Sequence, residues 1–213
     1  MVTVKPLSAR QQRVAIHHVG RGAGRVELRR FDPARDSYEA LTAMLHRAFA
    51  RLGAMGLNCT CVDQTVEVTC TRARRGDCYV AVCDGQIVGT LTLYAPDRES
   101  LCTLYQRDDV ASMRQFAVEP AWQARGVGTL LLALADHWAA IRGYAELALD
   151  TPQPATHLIA LYRSQGFRIV DFVRFDGKRY ASAILSKPAV VARTLANWSH
   201  RLTLPRKPVA CAA

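Results

Sequence analysis

The feature that most constrains the fold is a strand-like stretch followed by a glycine-containing turn and a strongly apolar helix. Residues 112–118 have β-like character and end before Pro120, and residues 129–142 have the apolar content of a buried helix. Between them lies Gln-Ala-Arg-Gly-Val-Gly, residues 123–128, which we call the glycine turn. The first amides of a helix lack internal partners and lie at the positive end of its dipole. Because glycines allow close approach and Arg125 adds a positive charge, the sequence predicts a pyrophosphate site here.

A dinucleotide-binding turn, Gly-x-Gly-x-x-Gly, is the main alternative for the same segment. Gly126 and Gly128 fit its first two glycines, and Asp150 falls near the acidic position that the motif places about twenty residues further on. However, Leu131 stands where the third glycine is required, and residues 120–125 lengthen a connection that this motif keeps tight. The dinucleotide interpretation is therefore the weaker one.

A second motif lies one helix and one strand further along the chain. Residues 158–167 read Leu-Ile-Ala-Leu-Tyr-Arg-Ser-Gln-Gly-Phe, with the tyrosine at position 162. Together with the glycine turn, this motif resembles the GNAT superfamily of acetyl-CoA-dependent N-acetyltransferases, over roughly residues 25–187. The resemblance implies an α/β fold with a mixed, mostly antiparallel sheet of six to seven strands and about four flanking helices.

The resemblance also implies which residues hold acetyl-CoA, the co-substrate, with no metal. Main-chain groups of one strand would contact its pantetheine arm, and that strand would diverge from the next, residues 145–150. These strand residues are Phe116, Ala117 and Val118. The pyrophosphate would lie against Gln123, Ala124, Arg125, Gly126, Val127, Gly128 and Thr129. Tyr162 would act as the general acid that returns a proton to the departing thiolate, with core packing as its alternative role.

The general base is left open by the sequence. Some family members have a glutamate where this chain has Ser112, so that role does not transfer. Gln115 and Asp150 are polar and near the predicted site, and three carboxylates on the preceding connection could act through water or be solvated loop residues: Glu99, Asp108 and Asp109. Ala155 replaces an Asn or Gln of many relatives, so no cofactor contact is assigned there.

The leading hypothesis is an acyltransferase that moves the acetyl group of acetyl-CoA to a primary amine by direct attack. A non-catalytic acyl-CoA-binding regulatory module is the alternative. The acceptor, a small molecule or a peptide amine, is not identified by either motif, because specificity resides in loops that the motifs do not constrain.

The net charge of +10 would suit nucleic-acid binding, but the excess lies at the two ends of the chain. Residues 1–30 contain seven basic residues and one acid, and residues 187–213 contain five basic residues and no acid. The stretch between them contains 16 basic and 17 acidic residues. Basic ends without a recognition motif are typical of solvated tails, so no nucleic-acid partner is expected.

The composition favours one soluble domain between two extensions. We expect residues 1–24 to be a flexible basic extension, and the family resemblance implies an acetyltransferase domain over residues 25–187. Residues 188–213 are expected to be a partly helical extension, in which residues 188–202 would cap the sheet or form a homodimer contact. No apolar run reaches the ~20 residues of a membrane span, and no signal-peptide block precedes the domain, so we expect a cytoplasmic protein. Seven cysteines without paired spacing indicate reduced thiols and no metal site.

Local patterns place most of the remaining elements. Asp32-Pro33 predicts the start of a helix that runs to about Leu52. Residues 57–75 would be a second helix in a GNAT domain, although the β-branched content of residues 61–75 suits a strand equally. Asp84-Gly85 between β-rich runs predicts a hairpin. Later strands are predicted at residues 145–150, 168–175 and 178–185.

Overall fold

Eight strands form one mixed sheet in the part of the chain described by the computed structural model, residues 13–18 and 25–190. In chain order they are β1 (Arg13–His18), β2 (Arg25–Arg30), β3 (Asp77–Cys83), β4 (Gln86–Tyr94), β5 (Val110–Val118), β6 (Glu146–Pro152), β7 (Arg168–Val173) and β8 (Ser182–Pro188). Their order across the sheet is β1-β2-β3-β4-β5-β6-β8-β7, and every neighbouring pair is antiparallel except β5 and β6. The mixed, mostly antiparallel sheet expected from the sequence is confirmed.

Six α-helices cover the two faces of the sheet within the described residues. They are α1 (Tyr38–Ala54), α2 (Thr60–Asp63), α3 (Val66–Arg75), α4 (Thr103–Gln106), α5 (Val127–Ile141) and α6 (Thr156–Ser164). Helices α5 and α6 pack on the core cluster of one face, and α1 and α3 pack on the cluster of the other. The two helices beyond the four expected are the four-residue α2 and α4.

The sheet has more strands than the sequence predicted, because β1 lies in the segment assigned to the N-terminal extension. β1 pairs antiparallel with β2, and β2 continues the sheet by pairing with β3. At the other end of the chain, the helical segment predicted at residues 188–202 lies outside the described residues from residue 191 onward.

The predicted start of α1 at Asp32-Pro33 is wrong. Residues 33–35 form a turn, and α1 begins at Tyr38 after Ser37, whose hydroxyl accepts a hydrogen bond from the Ala40 amide at 3.1 Å. The turn is held by Asp36, which accepts a hydrogen bond from the Asp32 amide at 2.9 Å and pairs with Arg29 of β2 at 2.5 Å. A buried ion pair to the sheet therefore overrides the local helix-start signal of the proline.

The ambiguous segment after α1 is helical, as the family resemblance implied, but it forms two helices. The break falls between α2 and α3, where Thr65 caps α3 by accepting a hydrogen bond from the Val68 amide at 3.3 Å. The side chain of Gln64 is buried and donates to the Thr69 hydroxyl at 2.7 Å, while it accepts from Arg72 at 2.6 Å. These contacts connect Gln64, which lies in the break, to α3, and the contact with Gln64 fixes the orientation of the Arg72 side chain.

The predicted hairpin is confirmed as β3 and β4. Asp84 has a φ of 47° and Gly85 a φ of 78°, and a two-residue turn of this hand requires positive φ at both positions. The later strands fall where they were expected, except that the last one begins at Ser182, four residues after the predicted start at 178. The intervening residues form the loop between β7 and β8.

The parallel pair β5 and β6 is short, and this shortness creates the gap that holds the candidate site. The two strands pair from Val110 opposite Glu146 to Ser112 opposite Ala148, and then diverge. Beyond Ser112 the edge of β5 that faces β6 pairs with no strand of the described chain. On the opposite edge β5 pairs with β4, with a bulge around Gln115, whose φ of 50° is uncommon for a residue with a side chain.

Candidate functional site

A cavity of about 830 Å³ lies where β5 and β6 diverge, and both faces of the sheet contribute to its lining. Met113 and Leu149 belong to the core cluster beneath α5. Because successive side chains of a strand point to opposite faces, Arg114 and Asp150 lie on the face of α1. We call the two parts the α5 side, which includes Phe116, Gly126, Gly128, Thr129, Leu132 and Tyr162, and the α1 side, which includes Cys59, Thr60, Arg72, Asp150, Lys178 and Tyr180.

The glycine turn enters α5 through two residues in the left-handed region. Ala124 has a φ of 57°, and Gly126, the N-cap residue of α5, has a φ of 92°. The first helical hydrogen bond is donated by Leu130 to the carbonyl of Gly126 at 3.0 Å. The amides of Val127, Gly128 and Thr129 consequently donate to no protein atom in the described part of the chain. They form the positive end of a 15-residue helix at the cavity wall.

The cavity brings together most of the cofactor-binding residues predicted from the sequence. Those that line it are Phe116, Ala117, Val118, Gln123, Ala124, Gly126, Gly128 and Thr129. The side chains of the other two lie elsewhere: Val127 is fully buried in the core, and Arg125 is exposed, with its guanidinium carbon 5.5 Å from the centroid of the Trp122 ring. Gln123 donates to the Val118 carbonyl at 3.1 Å and so holds the turn against the end of β5.

Tyr162 lies on α6 at the wall of the cavity. Its ring is 6.3 Å from the Phe116 ring and 5.9 Å, edge to face, from the Phe167 ring. Only 7% of the residue is exposed. Burial, and after it the charge of Asp150, raises the pKa of Tyr162 above the ordinary phenol value. A phenol in this position remains protonated at neutral pH and is chemically a proton donor.

The α1 side contains an ion pair that spans the gap between the diverging strands. Arg114 of β5 donates to Oδ1 of Asp150 on β6, and the Tyr105 hydroxyl donates to the same oxygen at 3.2 Å. The Arg114 guanidinium carbon lies 4.4 Å from the centroid of the Tyr105 ring. Oδ2 of Asp150 has no hydrogen-bond partner among the described residues, and Asp150 is the one carboxylate in the described lining.

The three carboxylates considered as bases on the connection before β5 do not line the cavity. Asp108 pairs with Arg98 at 2.5 Å, Asp109 pairs with Arg107 at 2.7 Å, and Glu99 is exposed. Gln115 does line the cavity and is 4% exposed, and neither side-chain amide atom has a partner within residues 26–190. Of the five polar candidates, the geometry therefore brings only Gln115 and Asp150 to the site.

Several lining residues of the α1 side were not predicted from the sequence. The Tyr180 hydroxyl donates to Sγ of Cys59 at 3.2 Å, across 121 positions of the chain. Lys178 donates to the Asn58 carbonyl at 2.7 Å and to the Thr60 hydroxyl at 3.0 Å. No spacing rule connects residues so far apart, so only the folded chain identifies them.

Neither a metal cluster nor a membrane span is found among the described residues. No group of three or more His, Cys, Asp and Glu side chains has the arrangement of a metal site there. The six cysteines in the described part of the chain form no disulfide; Cys211 lies outside it. Within the same part, no helix has the length and apolar content needed to cross a bilayer.

Residues 61–167 match a sequence model of the acetyltransferase (GNAT) family. The match covers half of the chain, and it contains the glycine turn, the diverging strands and Tyr162. The chain belongs to this family. A search of curated proteins found no match.

Several solved structures have the same fold as this chain. The ribosomal-protein-S18-alanine N-acetyltransferase from Escherichia coli is 18% identical, with a TM-score of 0.57 over 77% of this chain and 94% of that one. Ard1 from Thermoplasma volcanium is 15% identical, with a TM-score of 0.59 over 78% and 98%. A GNAT family acetyltransferase from Elizabethkingia anophelis, solved with acetyl-CoA bound, is 19% identical, with a TM-score of 0.54 over 76% and 97%. Identities this low show a shared fold.

Proposed function

We propose that this protein transfers the acetyl group of acetyl-CoA to a primary amine by direct attack of the amine on the thioester. The observation that supports this most is the presence, in one cavity, of the glycine turn, the unpaired edge of β5 and Tyr162. Membership of the GNAT family supports acetyl transfer, and the similar fold from Elizabethkingia anophelis with acetyl-CoA bound supports the choice of donor.

The residues at the α5 side fit coenzyme A. The amides of Val127, Gly128 and Thr129 have no acceptor among the residues that the structure describes, and Gly126 has no Cβ, so a pyrophosphate can lie directly against the main chain. A Cβ at Gly128 would contact Phe116 at 3.5 Å and narrow the passage toward β5. When bound, acetyl-CoA supplies an acetyl group already activated as a thioester.

The unpaired edge of β5 would hold the pantetheine arm and polarise the thioester carbonyl. Between Phe116 and Val118, the main-chain groups that point away from β4 face a gap in place of a neighbouring strand, so they can bond to the arm in the manner of an added strand. A well-aimed donor toward a developing oxyanion contributes roughly 2.7–4 kcal/mol in other enzymes.

Tyr162 and Asp150 would serve the proton transfers. Tyr162 keeps its proton because burial raises its pKa, and we assign it the role of donor to the departing thiolate. Oδ2 of Asp150 would accept a hydrogen bond from the attacking amine and orient its lone pair, since Oδ1 already holds Arg114 and Tyr105. The proton that the nitrogen loses would pass by way of this carboxylate to water, and water would return a proton to the Tyr162 phenolate.

The test is a panel of primary amines incubated with acetyl-CoA and the full chain, with release of free thiol as the signal. We expect turnover with at least one amine, together with a calorimetric heat of binding for coenzyme A. Absence of any heat with coenzyme A would contradict the proposal. Binding of coenzyme A without turnover on a broad panel would instead favour a regulatory module.

A further inference from the structure

The α1 side of the cavity has more positive than negative charge. The charged lining residues are the cations Arg47, Arg51, Arg72, Arg114 and Lys178 and the carboxylate Asp150. Arg47 pairs with Glu119 at 2.8 Å, and Arg114 pairs with Asp150. The remaining three form no salt bridge with any carboxylate of the described chain. Arg51 is exposed to solvent, but Arg72 and Lys178 are half-buried.

Neutral groups hold these two half-buried cations beside α2. Lys178 donates to the Asn58 carbonyl and to the Thr60 hydroxyl, at 2.7 and 3.0 Å. Arg72 donates to the Gln64 side-chain oxygen at 2.6 Å and to Sγ of Cys61 at 3.3 Å. Their side chains are thus fixed in position while their charges stay uncompensated. A half-buried cation without an anionic partner is costly, and a bound anion would remove that cost.

The two cations line the same cavity as Asp150. Burial raises the pKa of the Cys59 thiol, and the hydrogen bond from Tyr180 and the charge of Lys178 oppose this, whereas the charge of Asp150 adds to it. Arg72 and Lys178 both act on the adjacent Cys61 thiol as well. Among the described residues, one cavity therefore contains a carboxylate oxygen without a hydrogen-bond partner and two cations without a salt-bridge partner.

We propose that the acceptor is a primary amine that also has a carboxylate group, which Lys178 and Arg72 bind while Asp150 receives the amine. This assignment rests on the proposed function and specifies its substrate class. It disfavours polyamines and other polycationic acceptors, because their extra positive charge would face Lys178 and Arg72. The guanidinium and the ammonium together supply charge-assisted hydrogen bonds of the kind that carboxylates accept.

The test compares unbranched ω-amino acids of increasing length with their own carboxamides and with diamines of equal length. We expect kcat/KM for the best amino acid to exceed that of its carboxamide at least about tenfold, and to exceed that of the diamine further. Lys178→Gln and Arg72→Gln should each reduce this acid-to-amide ratio of kcat/KM severalfold. Lys178→Arg keeps the positive charge and should leave the ratio near the wild-type value. Arg179→Gln is the matched control, because Arg179 is exposed, adjacent in sequence and outside the cavity lining.

A binding measurement separates this assignment from the proposed function. With coenzyme A present, the amino acid should raise the melting temperature of the full chain, the carboxamide should not, and Lys178→Gln should abolish the shift. Equal or better use of carboxamides and diamines, or an acid-to-amide ratio unchanged in both glutamine variants, would overturn the assignment while leaving acetyl transfer intact. If no amine is turned over, acetyl transfer fails, and the melting shift alone decides whether the carboxylate site exists.

Discussion

The two sides of the cavity are built in different ways. The proposed binding groups of the α5 side are main-chain groups from one continuous stretch, residues 116–129, and the side chains of Leu132 and Tyr162 complete its wall. The α1 side is made of side chains from segments that are far apart in the chain, including those of Cys59, Arg72 and Lys178. A main-chain site responds to changes of backbone geometry, whereas a side-chain site responds to the loss of single functional groups. This contrast predicts which substitutions affect which substrate.

The largest effect is expected from Gly126→Val, which tests whether the α5 side depends on backbone geometry. A residue with a Cβ at φ 92° is strained by about 1–2 kcal/mol, and its side chain would crowd the N-terminus of α5, where we propose that the pyrophosphate binds. We expect coenzyme A to bind at least about 30-fold more weakly by calorimetry. Gly143→Val is the matched control, because Gly143 has a φ of 79°, follows the other end of α5 and has open space around it. Equal weakening by both variants would mean that strain, and not the site, is responsible.

Tyr162→Phe tests the one side chain of the α5 side that is assigned a chemical role. We expect kcat to fall at least about tenfold while the dissociation constant of coenzyme A stays unchanged. Because burial raises the pKa of Tyr162, its hydroxyl keeps its proton, and activity should show no alkaline loss from this group up to about pH 9. Tyr79→Phe is the control, since Tyr79 is also buried and its hydroxyl has no partner in the described chain. An equal loss of kcat in both variants would contradict the role of Tyr162 as the proton donor to the thiolate.

Asp150→Asn tests the α1 side. Arg114 would lose its counter-charge, and because both side chains are about one-fifth exposed, at 19% and 22%, we expect the free energy of unfolding to fall by roughly 1–3 kcal/mol. The KM of the acceptor should rise about tenfold, and coenzyme A should bind as before. Asp108→Asn, in the exposed pair with Arg98, should change neither the free energy of unfolding nor the KM of the acceptor. A weaker affinity for coenzyme A in Asp150→Asn would contradict the assignment of the two sides to different substrates.

The smallest effect is expected from Ser37→Ala, which removes the cap of α1 away from both sides of the cavity. Loss of the hydrogen bond from the Ala40 amide should lower the free energy of unfolding by about 1 kcal/mol in denaturant titrations. The KM values for acetyl-CoA and acceptor should not change. Thr65→Ala, which uncaps α3 beside Gln64, should cost a similar amount but also raise the KM of the acceptor, because α3 holds Arg72.

The α5 side and the hairpin could be predicted from the sequence because their signals are local. The glycine turn occupies six consecutive residues, and Asp84-Gly85 has the turn chemistry of a two-residue hairpin. The start of α1 was misplaced because its local signal competes with a tertiary contact. Pro33 favours a helix start, but the pair of Asp36 with Arg29 holds residues 32–36 in a turn.

The α1 side could not be predicted, because packing alone assembles it. Asn58 contacts Gly177, Lys178 and Arg179, about 120 positions away, and nothing in either local sequence indicates a binding site. The sequence predicted only reduced thiols near Asn58, whereas in the folded chain Cys59 accepts a hydrogen bond from Tyr180 at the cavity. A site that is built from segments far apart in the chain can be identified only from the folded structure.

The three-residue pairing of β5 with β6 makes the sheet two half-sheets, β1 to β5 and β6 to β8, joined along a narrow seam. Across that seam the Arg114–Asp150 pair is a side-chain bridge, and a pantetheine arm bonded to β5 would be a second. Binding of coenzyme A should therefore restrict the motion of one half-sheet relative to the other. We expect binding to slow amide exchange more in β5 and β6 than in the outer strands.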